Sequence, residues 1–206
     1  MFDEPVRQMK SRVTHGRRFA TGFGALMLAA LLSGCGSAPL ATFDISAPSS
    51  GLKARSLRGV LVVNEPTAPA PIDGDRIVVR SAPSAVAVLA GAQWADRLPK
   101  LLQTRLIQTF ENARLLKSVG RPGDGLTADY SLNWEVRRFE MDIPTGQAVV
   151  ELSVKVLTPA GRIAAAQIFT AQIPGSAADG GAATVALDAA SNNVLRQIVA
   201  WAGTRI

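Results

Sequence analysis

Residues 128–139 read Ala-Asp-Tyr-Ser-Leu-Asn-Trp-Glu-Val-Arg-Arg-Phe, a stretch in which apolar and polar side chains alternate. Tyr130, Leu132, Trp134 and Val136 fall on one face, and polar residues occupy the other. A period of two residues is typical of a β-strand that buries one face and exposes the other to water. The stretch therefore predicts a strand that covers one side of a hydrophobic core.

The two segments that follow continue the same pattern. Residues 148–158 alternate in the same way, and residues 162–173 are predicted to run back alongside them. Turn residues separate the segments at 144–146 (Pro-Thr-Gly) and at 158–161 (Thr-Pro-Ala-Gly). The sequence thus predicts an antiparallel meander of three strands. Shorter strands are predicted at 59–64, 76–80, 84–89 and 115–119, with a proline-containing loop at 65–75.

Helical periodicity marks two segments, residues 93–112 and 182–202. In each, the apolar residues recur every three or four positions and form one stripe. The stripes comprise Trp94, Leu98, Leu101, Leu102, Leu106 and Phe110 in the first helix, and Leu187, Ala190, Val194, Ile198 and Trp201 in the second, which Gly203 can end. Since each helix has one apolar stripe, we predict an α+β fold, an antiparallel sheet with two helices packed on one face.

The N-terminal region carries a different signal, which centres on Cys35. Arg12, Arg17 and Arg18 precede an apolar run at 19–32, and small residues follow directly before Cys35. This order is typical of a secretory signal peptide, and a cysteine at the cut makes it the lipobox of a bacterial lipoprotein. We therefore expect residues 1–34 to be a signal peptide, 35–57 the lipidated N-terminus with a flexible tether, and 58–206 a single α+β domain.

Cys35 is accordingly predicted to carry a diacylglycerol and an N-acyl chain such as palmitate. A buried free thiol does not explain the order of basic, apolar and small residues around it, and a disulfide has no second cysteine in the chain. A membrane-spanning helix is the other alternative, but the run is shorter than the roughly 20 residues that a span needs.

Composition excludes several classes of chemistry. Without residues 1–34 the chain has no histidine, and its sole cysteine is the predicted lipid site, so no catalytic, metal or cofactor-binding residue is predicted. It keeps 17 Lys and Arg against 14 Asp and Glu without a basic block, which argues against nucleic-acid binding. Asp73 and Asp75 are the remaining carboxylate pair, in an Asp-Gly-Asp string that is interpreted as a polar turn.

The order of these landmarks resembles the ABC-type transport auxiliary lipoprotein family, which includes PqiC-like lipoproteins. The resemblance covers residues 60–201 and is most specific in a Trp-Ala-x-x-Leu-Pro-x-Leu-Leu segment at 94–102. The other landmarks are Asp-Gly-Asp-Arg-Ile-Val-Val-Arg at 73–80, Ala-Asp-Tyr-Ser-Leu at 128–132 and Val-Ala-Leu-Asp-Ala-Ala at 185–190. Many relatives have a tyrosine shortly before the tryptophan, where this chain has Val-Ala-Val-Leu at 86–89.

The resemblance implies a function that composition does not. Such lipoproteins accompany MCE-type lipid transport systems of Gram-negative bacteria, so it implies an MCE-domain protein, an ABC permease and an ATPase as partners. It also implies a non-catalytic protein anchored in the outer membrane and facing the periplasm, and a homo-oligomeric ring as one form of assembly. Gly36 follows the cysteine where aspartate retains enterobacterial lipoproteins in the inner membrane, which favours the outer membrane.

Two alternatives differ in class from this interpretation. One is a lipid-binding or envelope-structural lipoprotein that is not tied to an ABC transporter, in which Ala164, Ala165, Ala166 and Ala171 line a space between sheet and helices. The other is an envelope hydrolase that uses Asp73 and Asp75.

Overall fold

Eight strands and two helices are found in the computed structural model, which describes residues 39–49 and 59–206. The helices are α1 (Leu98–Ala113) and α2 (Gly180–Ala202). The strands are β1 (Ala41–Phe43), β2 (Val60–Val63), β3 (Arg76–Ala82), β4 (Ala85–Trp94), β5 (Ser118–Gly120), β6 (Tyr130–Asp142), β7 (Gln147–Leu157) and β8 (Ile163–Pro174).

The long strand β6 is the centre of the sheet. One of its edges pairs with β7 along nearly its whole length, and β7 pairs with β8, so the predicted antiparallel meander is confirmed. Its other edge pairs with two strands in succession. Leu61 of β2 lies opposite Tyr130 at the start of β6, and Val78 of β3 lies opposite Glu140 near its end.

The α+β class is confirmed, but the sheet is mixed rather than wholly antiparallel. Strands β2 and β3 both run parallel to β6, β2 is parallel to β5, and β1 is parallel to β4, while β3 and β4 form an antiparallel hairpin. Parallel pairing needs a crossover connection that returns the chain to the same end of the sheet. Helix α1, which lies between β4 and β5, is part of that return.

A β-bulge at Arg137 interrupts the alternation of β6. Val136 lies opposite Leu152, but the next pair is Arg138 with Glu151, so Arg137 is the extra residue. Because a bulge shifts the alternation by one, Phe139 joins Val136 on the buried face instead of pointing to the other side. This single insertion lets both halves of β6 face the same core.

The core lies between this sheet face and the two helices. Helix α2 contacts β7 and β8, and α1 contacts α2, β2 and β5. The rings of Trp94 and Phe139 pack edge to face with centroids 5.8 Å apart. The most deeply buried large side chains include Leu61, Ile77, Leu98, Leu102, Leu106, Leu132 and Leu152. Ala, Val, Leu and Ile dominate this core.

The predicted start of the first helix was wrong by five residues. Trp94 is the last residue of β4, and its backbone N–H donates to the Asp75 carbonyl at 2.7 Å. Helix α1 begins at Leu98, with Pro99 in its first turn. The backbone N–H that proline lacks would have no intrahelical acceptor at this position, so proline is tolerated there. Its end is marked by Arg114 in the left-handed conformation, with φ of 50°.

The second helix is close to its predicted bounds. It begins at Gly180, two residues earlier than expected, because the Asp179 side chain accepts a hydrogen bond from the Ala182 N–H at 2.8 Å. Such a side-chain cap satisfies one of the donors that a helix start leaves free. Gly203 follows the helix, but its φ of −59° is right-handed, so no left-handed glycine ends α2.

Residues 39–49 form part of the folded domain, although the sequence assigned them to the tether of 35–57. Strand β1 pairs with β4 at Ala41 and Ala92, and Ile45 is buried. The Ser46 N–H donates to Asp188 of α2 at 2.6 Å, which fixes the segment against that helix. The remaining parts of the predicted tether, residues 35–38 and 50–57, lie outside the described residues.

Strand β8 forms one edge of the sheet. Among the described residues, β7 is the only strand that pairs with it. Its twelve residues contain no charged side chain, and Ile163 and Ile168 are exposed. No helix in the described ranges is long and apolar enough to cross a membrane.

The role of Arg137 as the extra residue leads to a test by deletion. Removing Arg137 should leave Val136, Arg138 and Phe139 in strict alternation, because Phe139 then stays on the core face. Removing Glu135 instead should turn Val136 outward and bring Arg137 to the core face. We expect a cooperative thermal unfolding transition, followed by circular dichroism, for the first variant and its loss for the second. Equal behaviour of the two would contradict the assigned bulge.

Candidate functional site

The predicted lipid-attachment residue, Cys35, lies outside the described residues. Pro39, four positions later, is the first residue that the structure describes. The lipid site therefore stays a prediction from sequence, and the folded domain starts within a few residues of it.

Asp73 and Asp75 lie in a surface turn. The Gly74 carbonyl accepts from the Leu98 N–H at 2.9 Å, and the Asp75 carbonyl accepts from Trp94, so the turn joins the starts of β3 and α1. The Asp73 carboxylate pairs with Arg97, and Asp75 is exposed. This arrangement favours the interpretation of the Asp-Gly-Asp string as a polar turn.

The alanines of β8 do not line an internal lipid site. Ala164 and Ala166 are exposed, Ala165 is half-buried, and only Ala171 is packed in the core. The idea of a lipid space between sheet and helices at these four residues is therefore wrong. The first half of β8, which contains Ala164, Ala165 and Ala166, extends past the region that the helices cover, so its small side chains are largely exposed to solvent.

The three tryptophans pack within the folded domain. Trp94 and Trp134 are buried, and the Trp134 Nε1–H donates to the Asn64 carbonyl at 2.7 Å. Trp201 is half-buried and packs edge to face on Phe169, with centroids 5.4 Å apart.

An ionic cluster that the sequence did not predict lies on the sheet face opposite the helices. Arg138, Glu140 and Asp142 alternate along β6 with the core residues Phe139 and Met141, so they share the other face. Arg80 of β3 lies directly opposite Asp142. Two strands that are sixty residues apart in sequence thus bring four charged side chains together.

Glu140 is the centre of this cluster, and its side chain is only 1% exposed. Arg80 donates to it through two bonds, from Nε to Oε1 at 2.7 Å and from Nη2 to Oε2 at 2.9 Å. Arg138 donates from Nε to Oε1 at 2.7 Å and from Nη2 to Asp142 Oδ2 at 2.9 Å. A buried carboxylate that accepts several charge-assisted bonds is fixed in position, and so are its donors.

The pKa of Glu140 reflects this environment. Burial alone would raise the pKa of the carboxyl, but the hydrogen bonds and positive charges of Arg80 and Arg138 outweigh it and hold the pKa below its ordinary value. The pKa of Asp142 is also lowered, since bonds from Thr145 and Arg138 outweigh its partial desolvation. The charges of the four side chains cancel, so the cluster holds strands together and leaves no net charge for a ligand.

A hairpin of unusual composition extends from this cluster. Strands β3 and β4 form it, and no charged residue occurs between Arg80 and Asp96. Residues 85–91 read Ala-Val-Ala-Val-Leu-Ala-Gly, and every one of them is exposed or half-buried. Val86 is 42% and Val88 47% exposed. Runs of apolar residues on a surface usually mark an interaction site.

The ionic cluster supports the apolar hairpin. Besides its bonds to Glu140, Arg80 donates from Nη1 to the Pro83 carbonyl in the hairpin turn at 3.0 Å. Ile143, which is 48% exposed, follows β6 at the same end, and its N–H donates to the Arg80 carbonyl at 2.9 Å. We call Val86, Val88 and Ile143 the apolar tip. The sequence predicts a strand at 84–89 and shows a departure from a family pattern at 86–89, but neither indicates that these residues are exposed.

A groove of about 610 Å³ lies on the same sheet face toward its other end. Its lining includes Glu65, Glu135 and Lys155 together with Leu157 and Ile163. Charges of both signs and exposed apolar groups alternate around it, and the Asn64 side chain donates to Asn133 at one wall. In the described ranges, no group of three or more His, Cys, Asp or Glu side chains is placed to hold a metal ion.

Comparison with known families places this fold. A family model described as the ABC-type transport auxiliary lipoprotein component matches residues 42–199. A protein of Bradyrhizobium diazoefficiens, described as uncharacterized, is 31% identical over 166 residues, which are 78% of this chain and 44% of that protein. The chain therefore spans less than half the length of this relative.

Two crystal structures are similar to the domain. A Xanthomonas campestris protein of the DUF330 family has a TM-score of 0.73 and 28% identity, with 80% of this chain and 96% of that chain covered. Another, described as an uncharacterized protein, has a TM-score of 0.62 at 15% identity, with coverage of 81% and 98%. The second likeness shows the fold alone.

Replacing the central carboxylate tests the ionic cluster. Glu140→Gln should lower the free energy of unfolding by about 1–3 kcal/mol, because the charge-assisted bonds are weakened and an amide N–H₂ faces an arginine. Glu135→Gln is the matched control on the same strand. Its partner Arg137 is 3.6 Å away and both side chains are exposed, so we expect a change below about 1 kcal/mol. Equal losses in urea-induced unfolding would contradict the role of Glu140.

The same carboxylate predicts a pH dependence of stability. Because its folded-state pKa lies below the ordinary 4.5, Glu140 stabilises the fold above that pH. This contribution is lost as the pH falls below 4.5 and through the folded-state value. Thermal unfolding from neutral to acidic pH should therefore show a larger drop in Tm for the unmodified protein than for Glu140→Gln. Parallel curves for the two proteins would contradict this assignment.

Proposed function

Because the chain belongs to the ABC-type transport auxiliary lipoprotein family, we propose that it is a non-catalytic component of an MCE-type ABC lipid transport system. In this proposal the protein is anchored in the outer membrane, faces the periplasm and docks or receives the periplasmic MCE assembly. The observation that carries it is the family match over residues 42–199, nearly the whole described domain. The link to an MCE protein and to the outer membrane goes beyond that match.

Several features of the chain support a role in binding rather than catalysis. The only histidine and cysteine in the sequence, His15 and Cys35, both precede the described domain. The carboxylate pair considered for hydrolysis, Asp73 and Asp75, lies in an exposed turn. The central carboxylate of the ionic cluster, Glu140, is enclosed by two arginines and is not available to a substrate.

The anchor is part of the same proposal. Cys35 with its acyl chains would hold the protein on the membrane, and Gly36 after it favours the outer membrane. Two or three chains give stable attachment, whereas a single acyl chain binds only marginally. The permease and the ATPase would then be reached through the MCE protein, and a homo-oligomeric ring would be one form in which the chain assembles.

Affinity purification from the native host tests the transport role. Tagged protein extracted from membranes with mild detergent should bring down an MCE-domain protein together with a permease and an ATPase, identified by mass spectrometry. Cys35→Ala is the matched control. It removes the acylated residue but no part of the described domain, so it should lose membrane association.

Two results would count against the proposal. Recovery of outer-membrane or cell-wall proteins without any MCE-domain protein would contradict the transport role and favour an envelope-structural one. Absence of acyl mass on the Cys35 peptide of the unmodified protein would contradict the anchor, whatever proteins accompany it.

A further inference from the structure

The apolar tip is placed where the chain leaves the domain toward its predicted anchor. Strand β1 runs parallel to β4, with Ala41 opposite Ala92. Strand β4 starts at the hairpin turn and runs away from it. A parallel neighbour must run the same way, so the chain enters β1 from the side of the hairpin turn and the apolar tip.

Covalent geometry limits how far the anchor lies from this tip. Cys35 precedes Ala41 by six residues, which span at most about 20 Å when fully extended. Val86 precedes Ala92 by six residues as well, so it lies at most about 20 Å from the start of β1. Cys35 is therefore at most about 40 Å from Val86 along this path, so a bilayer that holds its acyl chains can also meet the apolar tip.

We propose that the apolar tip, Val86, Val88 and Ile143, is a membrane-docking surface that rests on the bilayer to which Cys35 is anchored. The inference rests on the proposed lipidation of Cys35, and it adds a second contact with lipid and hence a fixed orientation. The occupant is the lipid surface itself, and the residues that meet it belong to the folded domain rather than to the tether.

Charge supports lipid as the occupant. The 15 residues between Arg80 and Asp96 carry no charge, so none of them must be desolvated at an ionic cost when the hairpin turn enters the headgroup region. The nearest charged side chains, Arg80, Arg138, Glu140 and Asp142, neutralise one another in the cluster. The hairpin is exposed on both faces along 85–88, as a surface that inserts between headgroups requires.

The opposite end of the sheet then points away from the membrane. Arg80 is opposite Val86 and also opposite Asp142, whereas Leu157, just before the β7–β8 turn, is opposite Ser131. About ten residues of β6 separate the two levels, or roughly 35 Å of strand. The exposed β7–β8 turn, including Ala160, would therefore stand well clear of the bilayer.

Site-specific fluorescence tests the docking. Acylated Cys35 leaves no free thiol in the chain, so the lipoprotein variants Val86→Cys, Val88→Cys and the control Ala160→Cys each present one labelling site. Each is labelled with an environment-sensitive dye and reconstituted into vesicles of phosphatidylethanolamine and phosphatidylglycerol. We expect blue-shifted emission and quenching by nitroxide-labelled lipids at positions 86 and 88, and emission as in water at position 160.

The outcomes separate the docking from the anchor. The docking would be overturned if the emission at all three positions resembled that in water. In that case, vesicles that float with the protein and an acylated Cys35 peptide in the mass spectrum would still support the anchor. Equal quenching at positions 86 and 160 would overturn the orientation. A Cys35 peptide without acyl mass would overturn the anchor and this inference with it.

Discussion

The architecture depends on one constraint, which is that a single edge of β6 must serve two strands placed end to end. Thirteen residues give β6 the length to pair with β2 at its start and with β3 near its end. The loop between these two strands runs along the same edge, where Thr67 bridges Glu135. The bulge at Arg137 then keeps the core face continuous. Hairpin, helices and meander all take their positions from this one strand.

Local patterns in the sequence predicted much of this fold. The alternation around Leu132 and Leu152 identified the meander, and the stripe around Leu102 identified the first helix, because these patterns report burial directly. The bulge was missed since Arg137 and Arg138 are alike and either can be the extra residue. Trp94 was assigned to the helix because its spacing from Leu98 fits a helical period. In the structure its backbone N–H donates to the Asp75 carbonyl, and no local pattern in the sequence indicates that contact.

The ionic cluster could not be predicted from the sequence, because it also depends on contacts between residues that are far apart in the chain. Glu140 and Arg80 meet because β3 and β6 pair in parallel, and no spacing of residues in the sequence indicates such a contact. The ionic cluster fixes the turn end of the hairpin, because Arg80 lies opposite Val86 and donates to the Pro83 carbonyl, while Val86 and Val88 remain exposed. Their exposure was not predictable from sequence, since alternating valines usually indicate a buried strand. The ionic cluster and the apolar tip are therefore structurally linked through Arg80.

The edge strand β8 has a consequence for how the protein can be handled. A long, uncharged edge with unpaired backbone groups is a template for a further strand from another chain. Copies released into free solution can present these edges to one another at any angle, and Ile163 and Ile168 add apolar area to the encounter. On a surface, copies that stand in one orientation can meet only side by side. Association of the purified domain in solution will therefore depend on protein concentration and on this exposed edge, rather than on the stability of its core.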